Sequence, residues 1–156
     1  MIGELAGMLG ERLKAARSSL VTAESCTGGW VAQAVTSVAG SSDWFDRGYV
    51  TYSNAAKREV LGVARATLRR HGAVSEQTAR AMAKGALRNR KGTFALAITG
   101  IAGPGGGGAG KPVGTVCFAW TQGRKIRSET RRFRGSRASV RRQSVAHALQ
   151  RALEWL

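Results

Sequence analysis

The stretch LVTAESCTGGW, residues 20–30, joins a β-prone segment to a turn and to the start of a helix. Its first residues are apolar or β-branched, which favours a strand, and Gly28 and Gly29 permit backbone conformations that other residues adopt rarely. Small hydroxyl and thiol side chains lie directly before these glycines. The stretch therefore predicts a sharp strand-to-helix turn that presents Ser25 to a nearby group.

Outside this turn, segments with helical and strand periodicity alternate along the chain. Helices are predicted over residues 2–17, 29–38, 54–62, 65–71, within 72–89 and over 136–156, and strands over 18–24, 48–53, 93–100, 113–120 and 125–134. Asn54 and Ser75 are predicted to cap two of the helices. The last two strands flank Gln122-Gly123, which predicts a hairpin. This order predicts the α/β class, as a three-layer α/β/α sandwich with a mixed, largely parallel sheet.

Length and composition favour one globular domain, residues 1–156, because 43% of the residues are apolar. No apolar run approaches the roughly 18 residues that a membrane helix needs. The amino terminus mixes charged and apolar residues, which does not fit a secretory signal. Cys26 and Cys117 have no metal-site spacing. We therefore expect a cytosolic protein with no metal and no membrane partner.

The chain is strongly basic: 25 Lys and Arg against 9 Asp and Glu give a net charge of +16. The excess lies mainly in residues 65–91 and 124–156, whereas residues 1–64 are balanced. This distribution fits an anionic partner, whether nucleic acid, a membrane surface or a phosphorylated metabolite. Codon bias in a GC-rich genome also produces an Arg-rich chain, and aromatic residues do not alternate with the basic ones. Nucleic acid is the less favoured partner.

The glycine-rich loop GIAGPGGGGAGKP, residues 100–112, matches two phosphate-binding motifs by letters. G-x-G-x-x-G occurs over 103–108 and G-x-x-x-x-G-K over 105–111. Both motifs work through a helix N-terminus that follows the loop, but here Pro112 and a predicted strand follow. We reject both motifs, and the loop either wraps an anion through its own amides or is mobile.

Ser25 is the candidate nucleophile, and its candidate base is a lysine. Neither His71 nor His147 has a carboxylate placed to orient it, which disfavours a Ser-His-Asp triad. Ser-Lys pairs are an established alternative, and Lys57 is available in the neutral first part of the chain. Four residues separate Tyr52 from Lys57, one more than in the Tyr/Lys pair of short-chain dehydrogenases. Spacing alone still favours a simpler interpretation, in which Lys57 is a solvated helix residue and Ser25 a helix cap.

Five blocks of the sequence together resemble the CinA C-terminal domain family. In the family's order they are TAESCTGG, GYVTYSNAAKREVLGV, GAVSEQTARAMAKGA, AITGIAGPGGG with KPVGTV, and FRGSR with a following VR. The blocks extend over nearly the whole chain, which resembles the stand-alone form of the family. The resemblance implies hydrolysis of nicotinamide mononucleotide to nicotinate mononucleotide and ammonia in pyridine nucleotide salvage. It implies no metal or other cofactor, and an enzyme that self-associates.

The resemblance also implies roles for individual residues. The family's nucleophilic serine, its tyrosine and its lysine match Ser25, Tyr52 and Lys57. We expect Lys57, with its pKa lowered by burial, to accept the serine proton directly or through the Tyr52 hydroxyl. We expect Cys26 to point away from the pocket. The residues expected to bind substrate are Thr27, Gly28 and Gly29 at the oxyanion, Arg137 and Arg141 at the phosphate, and Asn54, Thr99 and Gly100.

One departure from the family pattern is visible: Gly135-Ser136-Arg137 stands where the family usually reads Gly-Asp-Arg. The arginine is kept and the carboxylate is lost, so the orientation of Arg137 is in question. Two alternative functions stay open. One is a catalytically silent module that binds a nucleotide or nucleic acid, and the other is an amidase for a different anionic amide.

Overall fold

The computed structural model describes residues 1–88 and 93–156. Its helices are α1 (Ile2–Ala15), α2 (Trp30–Thr36), α3 (Asn54–Leu61), α4 (Arg65–His71), α5 (Glu76–Leu87) and α6 (Arg137–Trp155). Its strands are β1 (Ser19–Glu24), β2 (Phe45–Val50), β3 (Thr93–Gly100), β4 (Thr115–Gln122) and β5 (Lys125–Arg132). A short 3-10 helix, Ser41–Asp43, precedes β2. Within the described ranges, no helix combines the length and the apolar character that crossing a membrane requires.

The strands of the described chain form one sheet in the order β2-β1-β3-β4-β5. Strand β1 pairs in parallel with β2 and β3, whereas β4 pairs antiparallel with β3 and β5. All strands except β4 therefore run in the same direction, which confirms the predicted mixed, largely parallel sheet. The carboxyl ends of β1, β2 and β3 meet at one edge, where ligand sites of open α/β sheets usually form.

Apolar side chains on both faces of this sheet produce three layers. On one face, Phe94, Leu96 and Ile98 of β3 pack with buried residues of α1, α2 and α6. On the other face, Ala95 and Ala97 of the same strand pack against α5 and the end of α3. Successive side chains of a strand point to opposite faces of the sheet. The large residues of β3 therefore contact the helices on one face, and its small residues contact the helices on the other. The predicted α/β/α sandwich is confirmed.

The predicted elements form close to their predicted bounds, with one strand displaced. Strand β2 is Phe45–Val50, not 48–53. It is an edge strand in which residues 46–48 are all exposed, so burial does not alternate where it begins. The end of the segment 72–89 and the end of the basic stretch 65–91 lie outside the described residues.

One of the two predicted helix caps is wrong. Ser53, not Asn54, caps α3, and its Oγ accepts a hydrogen bond from the Ala56 N–H at 3.0 Å. Ser75 is confirmed as the cap of α5, with its Oγ 3.1 Å from the Thr78 nitrogen. Asn54 therefore lies inside the first turn of α3, one residue after the position where a side-chain oxygen reaches the free N–H groups.

Candidate active site

The turn between β1 and α2 carries Ser25 at the carboxyl edge of the parallel strands. Its N–H donates to the Ile98 carbonyl of β3 at 3.0 Å, and its carbonyl accepts from the Gly28 N–H at 3.0 Å. Gly28 and Gly29 have φ angles of 60° and 99°, in the left-handed region that glycine adopts without strain. The turn is therefore as sharp as the sequence predicts, and it places Ser25 next to β3.

Glu24, the last residue of β1, has a fully buried carboxylate. Its Oε1 accepts from the Thr27 hydroxyl at 2.6 Å and from the Val31 N–H at 2.9 Å. Its Oε2 accepts from the Ala32 N–H at 3.1 Å. The carboxylate thus ties both ends of the serine turn and caps the first turn of α2. Sequence reasoning missed this role, although one acidic residue at the end of an apolar strand was a signal for it.

Lys57 meets Ser25 inside the protein. Only 1% of its surface is exposed, and its Nζ lies 3.0 Å from Ser25 Oγ. The same Nζ donates to the Tyr52 carbonyl at 2.9 Å. Burial lowers the pKa of the Lys57 ammonium, because the charged form loses its hydration. The amine and the hydroxyl are thus placed for direct proton transfer, with the lysine shifted toward its neutral form.

Tyr52 and Arg137 form a rim above this pair. Tyr52 is 61% exposed, and its hydroxyl accepts from Arg137 Nη2 at 3.2 Å. Arg137 Nη1 donates to the Gly103 carbonyl of the glycine-rich loop at 2.9 Å. In this arrangement Tyr52 contacts the lysine through its carbonyl, whereas its hydroxyl contacts the arginine. Of the two expected proton routes, the geometry favours the direct one.

A cavity of about 270 Å³ opens over Ser25 and Lys57. The predicted site residues that line it are Ser25, Tyr52, Lys57, Thr99, Gly100 and Arg137. The predicted residues that do not line it are Thr27, Gly28, Gly29, Asn54 and Arg141. Thr99 is buried, and its hydroxyl donates to the Ala73 carbonyl at 2.8 Å. The structure therefore brings together the proposed catalytic residues and one of the two arginines.

Arg141 and Thr27 form hydrogen bonds that hold the serine turn in place. Arg141 Nε donates to the Cys26 carbonyl at 3.0 Å, and its Nη2 donates to the Thr27 carbonyl at 3.2 Å. The guanidinium lies over the Trp30 ring, 5.6 Å from the ring centroid. The Thr27 hydroxyl is occupied by Glu24. These contacts direct Arg141 to the turn, not to the phosphate position expected for it.

Ser136 takes a defined structural role at the position where the family usually has aspartate. It is the N-cap of α6, and its Oγ accepts from the Ser139 N–H at 3.2 Å. Serine and aspartate are both strong N-caps, so this substitution preserves the start of α6. Arg137, the next residue, is oriented instead by Gly103 and Tyr52.

Cys26 lines the cavity beside Ser25, contrary to the expectation that the turn points the two residues apart. Its side chain is buried, and burial raises the pKa of the thiol to about 12. A thiol with so high a pKa is protonated near neutrality and is a weak nucleophile. The arrangement favours the hydroxyl that contacts the buried amine.

The sequence-based statement that no carboxylate orients His147 is wrong. Glu129 of β5 hydrogen-bonds His147 Nε2 across the α6 face of the sheet. The imidazole packs edge-on against Phe118, with ring centroids 4.8 Å apart. Burial lowers the pKa of His147, and this effect outweighs the opposing effect of Glu129. His147 does not line the serine cavity.

In the described part of the chain, no group of three or more His, Cys, Asp or Glu side chains is arranged to hold a metal ion.

Comparison with known proteins adds to this geometry. Residues 3–156 match the model of the CinA C-terminal domain family. The chain is 53% identical over 149 residues to nicotinamide-nucleotide amidohydrolase PncC of Escherichia coli K12, covering 94% of this chain and 90% of that protein. It is 50% identical over 153 residues to PncC of Pseudomonas putida, covering 98% of this chain and 96% of that protein. The crystal structure of a CinA superfamily protein from Escherichia coli superposes with a TM-score of 0.96 at 38% identity, covering 100% of this chain and 91% of that chain.

Proposed function

This chain belongs to the CinA C-terminal domain family, and on that premise we propose that it is a nicotinamide-nucleotide amidase. The reaction converts nicotinamide mononucleotide and water to nicotinate mononucleotide and ammonia. The names of the PncC relatives support this substrate class. The observation that carries the proposal is the buried Lys57 amine, 3.0 Å from Ser25 Oγ in a cavity that also contains Arg137.

In the first half-reaction, Ser25 Oγ attacks the carboxamide carbon while its proton passes to Lys57 Nζ. The tetrahedral intermediate collapses as Lys57 returns the proton to the leaving nitrogen, which departs as ammonia. The product is a nicotinoyl ester of Ser25. In the second half-reaction Lys57 takes a proton from water, the resulting hydroxide attacks the ester carbonyl, and Ser25 regains its proton.

The uncharged form of Lys57 is suited to this task. Lys57 Nζ donates to the Tyr52 carbonyl and lies 3.0 Å from Ser25 Oγ, and in the neutral amine rotation about the Cε–Nζ bond brings the lone pair to the serine hydroxyl while an N–H still reaches Tyr52. A lysine base near neutrality requires a pKa well below the ordinary value of about 10.4, at a cost of about 4 kcal/mol. Burial acts in this direction, and the cationic pyridinium ring of the substrate adds to it.

The backbone N–H of Cys26 is the proposed oxyanion donor, because it belongs to the residue after the nucleophile and Cys26 lines the cavity. The sequence pointed instead to Thr27, Gly28 and Gly29, but the Gly28 N–H already donates to Ser25 within the turn. We propose that Arg137 binds the 5′-phosphate from the rim. Its guanidinium has further N–H groups besides those that contact Gly103 and Tyr52.

In this proposal residues 1–156 act as one amidase unit, since the base on α3 and the rim arginine of α6 meet the serine turn that follows β1. Self-association stays a prediction from the family resemblance, and a cytosolic location stays a prediction from the sequence composition.

Ammonia release from nicotinamide mononucleotide tests the proposal directly. Ser25→Ala should lower kcat by at least about 1,000-fold, because nucleophile and base act as a unit. Ser42→Ala, an exposed serine of the 3-10 helix, is the matched control and should retain wild-type kcat. Equal and negligible rates for wild type and Ser25→Ala would refute the amidase proposal and favour a silent binding module.

Plain nicotinamide has the reactive carboxamide but no phosphate, so its turnover tests the phosphate contact separately from the amide hydrolysis. We expect Arg137→Gln to raise KM for the nucleotide by about tenfold or more, consistent with loss of a charge-assisted contact. Turnover of plain nicotinamide should be slow in wild type and insensitive to Arg137→Gln. If nicotinamide and its nucleotide were hydrolysed equally well, Arg137 would have no part in phosphate binding.

A further inference from the structure

A second cavity, of about 610 Å³, lies on the α5 side of the sheet beside the proposed active site. Its walls come from the end of α4, the start of α5, the end of the glycine-rich loop, and strands β4 and β5. Val74 lines both cavities. The proposed reaction uses none of the other residues that line this second cavity.

The formal charge of this cavity is positive. Arg70, Lys111 and Arg132 line it, against the single carboxylate of Glu76, so its formal charge is +3 − 1 = +2 with His71 neutral. Among the described residues, none of these three cations forms an ion pair. Lys111 Nζ donates to the His71 carbonyl at 2.7 Å, and Arg132 Nη2 contacts the Gly110 carbonyl at 3.4 Å.

Glu76 forms no ion pair with these three cations of the cavity. Its Oε1 accepts from the Ser128 hydroxyl at 2.8 Å, and its Oε2 accepts from the Thr130 hydroxyl at 2.8 Å. Ser128 in turn accepts from Arg80 at 2.9 Å, so this carboxylate belongs to a separate network between α5 and β5. The positive charge of Lys111 and Arg132 remains available to a ligand.

Another basic cavity, of about 440 Å³, is lined by three arginines and two glutamates, so its formal charge is only +1. It contains Arg151, which lies 3.3 Å from Glu129 and 2.6 Å from Glu154. There the carboxylates of the protein already occupy the guanidinium. The contrast indicates that the net charge of the chain alone does not make every groove an anion site.

The glycine-rich loop presents its lysine to the second cavity. Gly108 and Lys111 form a backbone bridge, with N···O distances of 2.9 and 3.1 Å, that closes the end of the loop. The Lys111 side chain then reaches the His71 carbonyl. The N-terminus of α5, which is capped by Ser75 and carries Glu76 in its first turn, borders the same space. Basic groups and free space therefore converge from elements far apart in the chain.

We propose that this cavity binds a phosphorylated anion at a site separate from the serine. The ligand is held by Lys111 and Arg132, with Arg70 at the entrance. Because the segment 71–75 and the glycine-rich loop each contribute to both cavities, the bound anion also restrains one wall of the active site. Binding does not require the amidase reaction, so the site is testable without substrate.

Inorganic pyrophosphate, titrated calorimetrically into the intact chain at about 150 mM salt, is the probe. Lys111→Gln and Arg132→Gln should each weaken binding by about tenfold, the loss expected for one charge-assisted contact. Arg131→Gln is the matched control, since it removes the same charge from the same strand but on the opposite face, and it should change binding by less than about twofold. Ser25→Ala and Arg137→Gln should bind pyrophosphate as wild type does.

Three results would overturn the proposal. Absence of binding to wild type is the first. Equal weakening in Arg131→Gln and Arg132→Gln is the second, because it would reduce the effect to net charge. Loss of binding in Arg137→Gln is the third, since it would place the anion in the serine cavity. Lys111→Gln tests the loop, and Arg132→Gln keeps the test valid if the loop variant is misfolded.

Discussion

Lys57 is the residue on which the proposed chemistry depends, because only an uncharged amine can accept the serine proton. Its side chain is buried and contacts a hydroxyl and a carbonyl, neither of which carries a charge. Such surroundings stabilise the neutral amine relative to the ammonium ion. In the proposed mechanism, lysine therefore replaces the histidine that serine hydrolases more often use as their base.

The pH dependence of kcat/KM should reveal this lysine. The protonated form dominates below its pKa and is inactive, so kcat/KM rises with pH through an ascending limb. Because burial lowers the pKa of Lys57, the midpoint of that limb should lie below the ordinary lysine pKa of about 10.4. Rates of ammonia release between pH 5 and pH 10 measure it.

Two lysine variants, one at the proposed base and one at an exposed position, accompany this pH profile. Lys57→Arg, which keeps its proton throughout this range, should lose at least about 100-fold in kcat. Lys14→Arg in α1 changes an exposed lysine and should leave the profile unaltered. A profile that is flat, or that falls with pH, would be inconsistent with Lys57 as the base.

Glu24 is the second residue whose environment decides its role. Three hydrogen bonds converge on its buried carboxylate, from the Thr27 hydroxyl and from the N–H groups of Val31 and Ala32. Hydrogen bonds to a charged acceptor are among the stronger ones in proteins, and their loss leaves buried donors unsatisfied. We infer that Glu24 holds the turn in the shape that directs Ser25 toward Lys57.

Glu24→Ala should lower the free energy of unfolding by about 2–4 kcal/mol, measured by urea denaturation. Glu24→Gln should cost less, because the amide oxygen can still accept from Thr27 and Val31. A positioning role also predicts that kcat of Glu24→Gln falls by about tenfold or more while KM stays within about twofold. Wild-type kcat in a folded Glu24→Gln variant would show that the carboxylate is only structural.

At the scale of elements, the crossing of α3 and α5 depends on the absence of a side chain. A Cβ placed on Gly85 would lie 1.9 Å from the Leu61 carbonyl oxygen at the end of α3. Residue 85 must therefore be glycine for α5 to approach α3 this closely. The contact positions the base, because α3 also carries Lys57.

Gly85→Ala should destabilise the fold by about 1–3 kcal/mol, since the two helices must separate to admit the methyl group. Gly7→Ala in α1 is the matched control: a Cβ there meets nothing within 4 Å. With no clash to oppose helix propensity, Gly7→Ala should stabilise by about 0.5–1 kcal/mol. Thermal denaturation measures both, and equal shifts in the same direction would contradict the close approach at Gly85.

At the scale of the whole molecule, charge is the dominant feature. Nine carboxylates cannot neutralise 25 basic side chains, and the resulting net charge of +16 is carried mainly at the surface. In the described part of the chain, Asp46, Glu129 and Glu154 form ion pairs with arginines. Self-repulsion therefore opposes the compact state at low ionic strength.

Added salt should accordingly stabilise the protein. We expect Tm to rise by several degrees between about 20 and 200 mM NaCl and then to level off, because the screening length falls below about 8 Å. Differential scanning calorimetry across this range tests the expectation. A continuous rise beyond 500 mM would indicate preferential exclusion of the salt from the protein surface, and a fall would contradict self-repulsion.

Local features of the structure followed from the sequence. The glycine pair after β1, the apolar alternation of β3, the Gln122-Gly123 hairpin and the Ser75 cap are all decided by residues within a few positions of one another. Hydrogen bonds of turns and caps, and the periodicity of a buried face, act over such short distances. The predicted bounds of the edge strand β2 were displaced from the observed ones because its exposed residues have no such periodicity.

The sequence by itself determined the class of the fold, the order of its layers and the identity of the serine turn. Only the tertiary structure decided that Arg141 holds the carbonyls of a turn 115 positions away along the chain and that Lys57 is buried against Ser25. These contacts join positions that approach only after β1, β2 and β3 align in parallel and α6 packs on their face. Residue type alone does not decide whether a charged side chain is solvated or buried beside a partner. Its solvation free energy depends on its burial, which is set only when the elements pack.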